Sequence, residues 1–227
     1  MSFYQRKKYF YERLLREAKE GRVDFDIFDF LKTFNEKVDD CMTLSSCSGR
    51  ILVAETERLS FSKGKGMFKV LAKWHRPITI GELLKVINDE CNNVWIIVTG
   101  GIIHFSCRSI DKASEILNIA QKTGFKHSGI ISIRDDEVII EVQGEEKLNI
   151  PIIINKRWIL DKSSLSEVID IINETLIFAK IRLINLIRLI EIKLMNRCDV
   201  EFNDRKLFKG KTYREFKELL RKVKLTD

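Results

Sequence analysis

Proline is nearly missing from this chain: Pro77 and Pro151 are the only two in 227 residues. No proline-rich linker and no low-complexity tract is present, which excludes an extended or disordered chain. The glycines, 11 in all, never fall into G-x-G-x-x-G or a P-loop pattern, so neither common phosphate-cradling fingerprint is available. Five cysteines, Cys41, Cys47, Cys91, Cys107 and Cys198, contain no C-x-x-C pair. That excludes zinc-type ligand spacing, and no structural metal is expected. An odd cysteine count fits reduced thiols in a cytoplasm. A long uncharged apolar run is also lacking. The most apolar region, residues 165–195, carries Glu167, Asp170, Glu174, Lys180, Arg182, Arg188 and Glu191, which argues against a membrane span. The opening "MSFYQRKKYFYERLL" is basic without an apolar run or cleavage site, so it does not read as a signal peptide. A cytoplasmic protein with no membrane partner is expected.

Charge is abundant. Hydrophobic residues make up 44% and charged residues 32%, a globular balance with a heavily charged surface, and the formal net charge is +7. Residues 50–76 hold seven Lys or Arg against two Glu, and residues 205–224 hold nine against two. Such runs suit an anionic partner such as nucleic acid, and equally suit a solvated face.

Periodicity gives the elements. Residues 4–19 read as a helix stopped by Gly21, and Asp24 can cap a second helix whose Phe28, Leu31 and Phe34 recur every three residues. A small-residue loop, residues 43–49, precedes the strand "RILVAET". "SKGKG" reads as a loop and "MFKVLAKW" as a strand. Thr79 with Glu82 has the capping-box pattern of a short helix over 79–89. "VWIIV" and "IIHFS" read as two strands turning at Gly100 and Gly101. A helix opens at Ser109 or Asp111 and stops at Gly124, and "IISIRDDEVIIEVQ" reads as a hairpin turning at Asp135 and Asp136. "KLNIPIII" is another strand. Ser164 and Glu167 then open a helix of about thirty residues, apolar on more than one side, which predicts packing across a sheet. A basic helix follows near Thr212. The expected class is α+β, with one mixed sheet, packed helices and a long C-terminal helix. "CSGRILVAE" and "HSGIISIRD" echo one another, as a duplicated half-domain or by chance. Residues 1–198 read as a single catalytic domain and residues 199–227 as a basic extension with a short helix.

Several residues carry potential chemistry. In "TLSSCSGRI", residues 43–51, small side chains allow backbone N–H groups to approach an anion, Gly49 permits unusual dihedrals, and Arg50 offers a forked donor. The same stretch also reads as a polar turn. Cys47 has no histidine near it in sequence, so packing is favoured over nucleophilic work. His75 in "KWHRP", His104 in "IIHFSCR" and His127 in "GFKHSG" stand at strand ends or turns, where a side chain titrating near neutral pH is useful.

Taken in order, "TLSSCSGRI", "KWH", "IIHFSCRS" and "AQKTGFKHSGI" resemble the wybutosine-synthesis tRNA methyltransferase family of the third pathway step, in its archaeal type. "GRVDFDI" upstream agrees, and so does a closing helix with Asn173 and Arg182. The resemblance covers residues 20–190. It implies transfer of a methyl group from S-adenosylmethionine to a ring nitrogen of the tricyclic wyosine precursor, 3′ of the anticodon in phenylalanine tRNA. The family does not use a Rossmann methyltransferase domain, consistent with the absent glycine fingerprint. The motifs carry over Ser45, Ser46, Ser48, Gly49, Arg50, Trp74, His104, Arg108, Ser128 and Gly129 as cofactor- or substrate-binding residues. His75 and His127 are the expected bases or base-orienting groups, and Trp74 is either a base stacker or a core residue. Cys41 and Met42 stand where the family usually has an aromatic residue, and Gly100-Gly101 where it often has proline. A non-catalytic tRNA-binding module and an enzyme of a small anionic substrate are the rival readings.

Overall fold

The computed structural model describes residues 2–57, 68–88, 90–134 and 136–196. The "SKGKG" stretch, Asp135, Cys198 and the basic extension with its helix near Thr212 lie outside the described residues. Element order is α1 (Phe3–Lys19), α2 (Phe25–Lys37), β1 (Cys41–Cys47), β2 (Arg50–Thr56), β3 (Phe68–Trp74), α3 (Ile80–Val86), β4 (Val94–Thr99), β5 (Ile102–Cys107), α4 (Ile110–Lys122), β6 (Gly129–Arg134), β7 (Glu137–Gln143), β8 (Lys147–Ile154), β9 (Arg157–Trp158) and α5 (Leu165–Met195). The α+β class holds, with a 31-residue helix as the last element among the described residues. None of the described helices is long and apolar enough to cross a membrane.

The single mixed sheet expected from the sequence is instead two sheets, ordered β1-β5-β7-β6 and β3-β2-β4-β8-β9. They belong to two compact units, which divide after Ser46, Ile102, Val142 and Ile181. The expected hairpin at Gly100-Gly101 does not form. β4 already has β2 and β8 on its two edges, and β5 has β1 and β7, so the two strands cannot pair.

In the first unit, α2 buries Ile27, Phe30, Leu31 and Phe34, the i, i+3, i+4, i+7 face of a helix. α4 likewise buries one face, with Ala113, Ile116, Ile119 and Ala120 at i, i+3, i+6 and i+7. Both contribute to one core with Ile103, Phe105, Val138, Ile140 and Leu186, and the Phe34 and Phe105 rings meet edge-on at 5.1 Å. Ser2 opens α1 with a capping box to Gln5. Lys7 donates its ammonium to the Val38 carbonyl at the C-terminal end of α2, where a cation is favoured. Burial pulls the Lys7 ammonium below its ordinary value, with Asp39 and Asp40 acting the other way. Gly124 ends α4 in the left-handed region at φ +91°, and a Cβ there would lie 3.2 Å from Arg182 Nη1, which donates to the Gly124 carbonyl. Arg182 of the closing helix therefore holds this turn in place.

Cys41 and Cys107 form a disulfide between β1 and β5, so the expected reduced state of all the thiols is corrected. Compartment arguments say nothing about which sulfurs neighbouring strands bring together. Cys47 and Cys91 are free thiols.

The second unit is built on antiparallel β2–β3, β2–β4, β4–β8 and β8–β9 pairs. Pro151 opposes Trp95 where the β4–β8 register shifts, a place in a sheet that tolerates a missing N–H donor. Ile51, Val53, Ile96 and Val98 from the sheet pack with Leu83 of α3 and Ile169, Ile172 and Leu176 of α5. The Thr79–Glu82 capping box is present, but α3 stops at Val86, short of the expected end. The two Ser-Gly echoes differ in conformation: Gly49 has φ +99° and Gly129 has no positive φ.

Candidate functional site

"TLSSCSGRI" is not a loop. Residues 41–47 form β1, and only Ser48 and Gly49 turn the chain into β2. An extended strand points successive N–H groups to opposite edges rather than converging them on one anion, so the anion-cradle reading retreats to the side chains. Gly49 is required by that turn. Its φ is left-handed, and a Cβ would sit 3.1 Å from the Thr99 carbonyl oxygen.

In the first unit, β1, β5 and β7 lie side by side and carry a continuous polar chain. Ser45 Oγ is 2.9 Å from His104 Nδ1, and His104 Nε2 is 2.9 Å from Glu141 Oε2. Alternation explains the placement. Ile103 and Phe105 flank His104 and are fully buried, as are Ile140 and Val142 around Glu141. Histidine and glutamate therefore point off the core. One step along the same face, the Ser106 hydroxyl donates to Glu137 at 2.7 Å. Arg108 donates to the Tyr4 hydroxyl at 2.9 Å, lies 5.2 Å from that ring, and approaches Asp40 at 3.6 Å. Its guanidinium links α1 to the strand end. A pocket in this unit has Ser45 and Ser46 on one side and Phe10, Arg13, Glu17 and Arg22 of the first helix and its following turn on the other. Arg13 pairs with Glu17 at 2.8 Å and Arg22 pairs with Glu20. His127 is exposed in the turn before β6, and the Ser128 N–H donates to the Phe125 carbonyl at 3.4 Å. Gly129 begins β6.

In the second unit, Cys47 Sγ is 3.9 Å from His75 Nδ1. The histidine that sequence proximity did not supply to Cys47 arrives from the end of β3. Ser48 is fully buried and accepts a 2.9 Å hydrogen bond from Lys180 Nζ, itself only 4% exposed. Ser48 thus serves a buried lysine of α5. Arg50 opens β2 opposite Thr99. Trp74 is half-buried and packs against this unit's core.

A family model described as Methyltransferase TYW3 matches residues 5–191. The chain belongs to that family. TYW3 relatives include the Archaeoglobus fulgidus tRNA(Phe) 7-((3-amino-3-carboxypropyl)-4-demethylwyosine(37)-N(4))-methyltransferase, 36% identical over 74% of this chain and 83% of that protein. A Pyrococcus furiosus methyltransferase of the same description, numbered 1, is 32% identical over 72% of this chain and 86% of its own. The solved structure of the PH1069 protein from Pyrococcus horikoshii matches with TM-score 0.74 at 30% identity, covering 82% of this chain and 94% of that one. A hypothetical protein from Aeropyrum pernix matches with TM-score 0.65 at 29% identity, covering 74% and 98%. This TYW3 chain is therefore a methyltransferase outside the Rossmann fold.

Motif reading within the TYW3 resemblance did not reach Glu141, Lys180, Arg13 or Arg22. Glu141 lies between two buried residues in "EVIIEVQ", so its outward direction was readable from alternation, but its histidine partner was not. Lys180 stands out as a charge inside an apolar helical stretch. Arg13 belongs to none of the four ordered motifs, and Arg22, although inside "GRVDFDI", was not singled out as a site residue.

Proposed function

We propose that the protein transfers a methyl group from S-adenosylmethionine to the N4 ring nitrogen of a demethylwyosine base at position 37 of phenylalanine tRNA. Membership of the TYW3 family, over most of the chain, carries this reading. The donor set of the first unit suits the methionine end of the cofactor. Arg13 or Arg22 would hold its carboxylate, Glu17 its ammonium, and Ser46 would add a hydroxyl, with Phe10 beside them as apolar surface. When bound, the cofactor supplies an electrophilic methyl group on a sulfonium. The protein's own residues bind, orient and manage the proton that the ring nitrogen gives up.

Arg108, His127, Ser128 and Gly129 of the first unit, and Arg50 and His75 of the second, serve as contacts to the RNA, each on its own unit. Ser48 and Gly49 shape the turn that presents Arg50. Trp74 supports that surface by packing. A base in the anticodon loop is accessible without opening a duplex, which suits a site formed on sheet strands. The test is mass spectrometry of nucleosides from precursor-bearing phenylalanine tRNA incubated with protein and S-adenosylmethionine. One added methyl group on the tricyclic base is expected. Binding of tRNA without heat from S-adenosylmethionine titration, and without methylation, refutes the reading in favour of a binding module.

A further inference from the structure

We propose that Ser45, His104 and Glu141 form a proton relay that accepts the proton released by the methylated ring nitrogen; this rests on the methyltransferase reading above. Ser45 is the catalytic member, and His104 and Glu141 act through it.

Hydrogen-bond chemistry sets the direction of the chain. A glutamate carboxylate only accepts, so the 2.9 Å contact to Glu141 assigns the proton of the neutral ring to His104 Nε2. His104 Nδ1 is then the lone-pair nitrogen, and the Ser45 hydroxyl donates to it across 2.9 Å. With its own hydrogen committed to histidine, Ser45 Oγ presents only lone pairs outward. A carboxylate–histidine–hydroxyl sequence of this kind fixes tautomer and ring orientation and stabilises the imidazolium when it forms.

Two further observations give the relay access to a ligand. Ser45 is exposed, whereas the His104 and Glu141 side chains are only 21% and 31% exposed, so the serine end is the open end. Ser45 also lines the pocket that contains Arg13, Glu17 and Arg22, so a ligand seated there lies beside the serine end of the relay. Ile103, Phe105, Ile140 and Val142 lock both strands into the core behind the relay, which limits its freedom to misalign.

The reaction balances without any further reactant. A C–N bond forms, a C–S bond breaks with its electron pair left on sulfur, and one proton leaves the ring nitrogen. That proton passes to Ser45 Oγ as the serine's own proton passes to His104 Nδ1. The imidazolium is held against the Glu141 carboxylate and later releases the proton to solvent.

The experiment compares the full-length protein with Ser45→Ala, His104→Ala, Glu141→Gln and Glu141→Asp in single-turnover and steady-state methylation of precursor-bearing phenylalanine tRNA. Far-UV circular dichroism and melting confirm that each variant folds. Glu141→Gln is expected to lower kcat about 10- to 100-fold, with KM for tRNA within about twofold, and Glu141→Asp to restore most of it. Added imidazole is expected to raise the rate of His104→Ala, which a purely structural loss does not allow. The 15N shifts of His104 report the tautomer independently of activity: Nε2 protonated in the unaltered protein, and a mixed population in Glu141→Gln. Methylation by the unaltered protein together with unchanged kcat in Ser45→Ala and Glu141→Gln overturns the relay alone. So does a His104→Ala defect that imidazole leaves untouched. No methylation by the unaltered protein overturns the reaction and, with it, the relay's role.

Discussion

Asn173 offers the sharpest test of how the second unit is held together. Its side chain makes two hydrogen bonds to one residue 95 positions away: Nδ2 donates to the Ile78 carbonyl and Oδ1 accepts from the Ile78 N–H, both at 2.8 Å. Asn173 is 7% exposed and Ile78 is 3% exposed, so water is a poor substitute. Ile78 immediately precedes the Thr79 cap of α3, and the pair fixes the entry of that helix against α5. Asn173→Ala strands a buried donor and a buried acceptor. Each costs about 1–3 kcal/mol, and water entering the vacated volume recovers part, so a net loss of roughly 2–4 kcal/mol is expected. Asn173→Asp keeps the acceptor but sets a carboxylate against the Ile78 carbonyl. Burial should raise that carboxyl's folded pKa above its unfolded value, so the folded state binds more protons and stability falls as pH rises. The aspartate variant should therefore regain stability near pH 4, where a protonated carboxyl donates to Ile78, while the alanine variant should not. Urea unfolding followed by tryptophan fluorescence is the assay. All three tryptophans, Trp74, Trp95 and Trp158, lie in this unit. An alanine variant within about 0.5 kcal/mol of the unaltered protein, with no pH dependence for the aspartate variant, refutes the two-bond account.

Glu82 accepts from Arg76 and from the Thr79 backbone, which holds its carboxyl down at about 2. A depressed folded value means stability present above the ordinary glutamate range and lost as pH falls from there towards 2. Melting of Glu82→Gln and the unaltered protein should therefore differ at neutral pH and converge near pH 2, and a constant difference across that window contradicts the assignment. Cys41 and Cys107 are fully buried and 66 positions apart, so closing that loop stabilises by about 2–4 kcal/mol in a chain-entropy account. Reductant should lower the melting temperature of the unaltered protein but not of Cys41→Ala. A peptide map without a Cys41–Cys107 link removes the bond.

The sequence was informative wherever a local rule sufficed. The Thr79–Glu82 pattern gave a true capping box, Gly124 marked the end of α4, and the apolar spacing of α2 gave its buried face. Pairing partners were a different matter. "VWIIV" and "IIHFS" look like a hairpin because only two glycines separate them, yet their edges are already filled by strands from elsewhere in the chain. Edge occupancy is a property of the whole sheet and leaves no local trace. "TLSSCSG" looked like a loop because serine is a weak strand former, yet as β1 it lies beside β5. Tertiary pairing overrode propensity there. The site was legible in the same uneven way. Motif order brought out Ser45 and His104, but the contact between them, across 59 positions, and the completion of the chain by Glu141 needed the sheet.

That sheet also explains how a small-residue segment can carry chemistry without a glycine-rich cradle. In a cradle, function comes from backbone N–H groups freed by unusual dihedrals. In β5 and β7 the backbone is paired on both edges and in β1 on one, and the free variable is which side chains alternation turns away from the core. Ile103, Phe105, Ile140 and Val142 are spent on burial, and that spending is what holds His104 and Glu141 at fixed spacing on the other side. Ser106 and Glu137, 2.7 Å apart on that same side, repeat the arrangement without a histidine and without an open end, since both are buried. The two pairs have similar geometry in the sheet and differ in access and in the titratable ring. Those two differences, rather than the presence of a polar cluster as such, single out Ser45, His104 and Glu141 as the place where a proton can enter and leave.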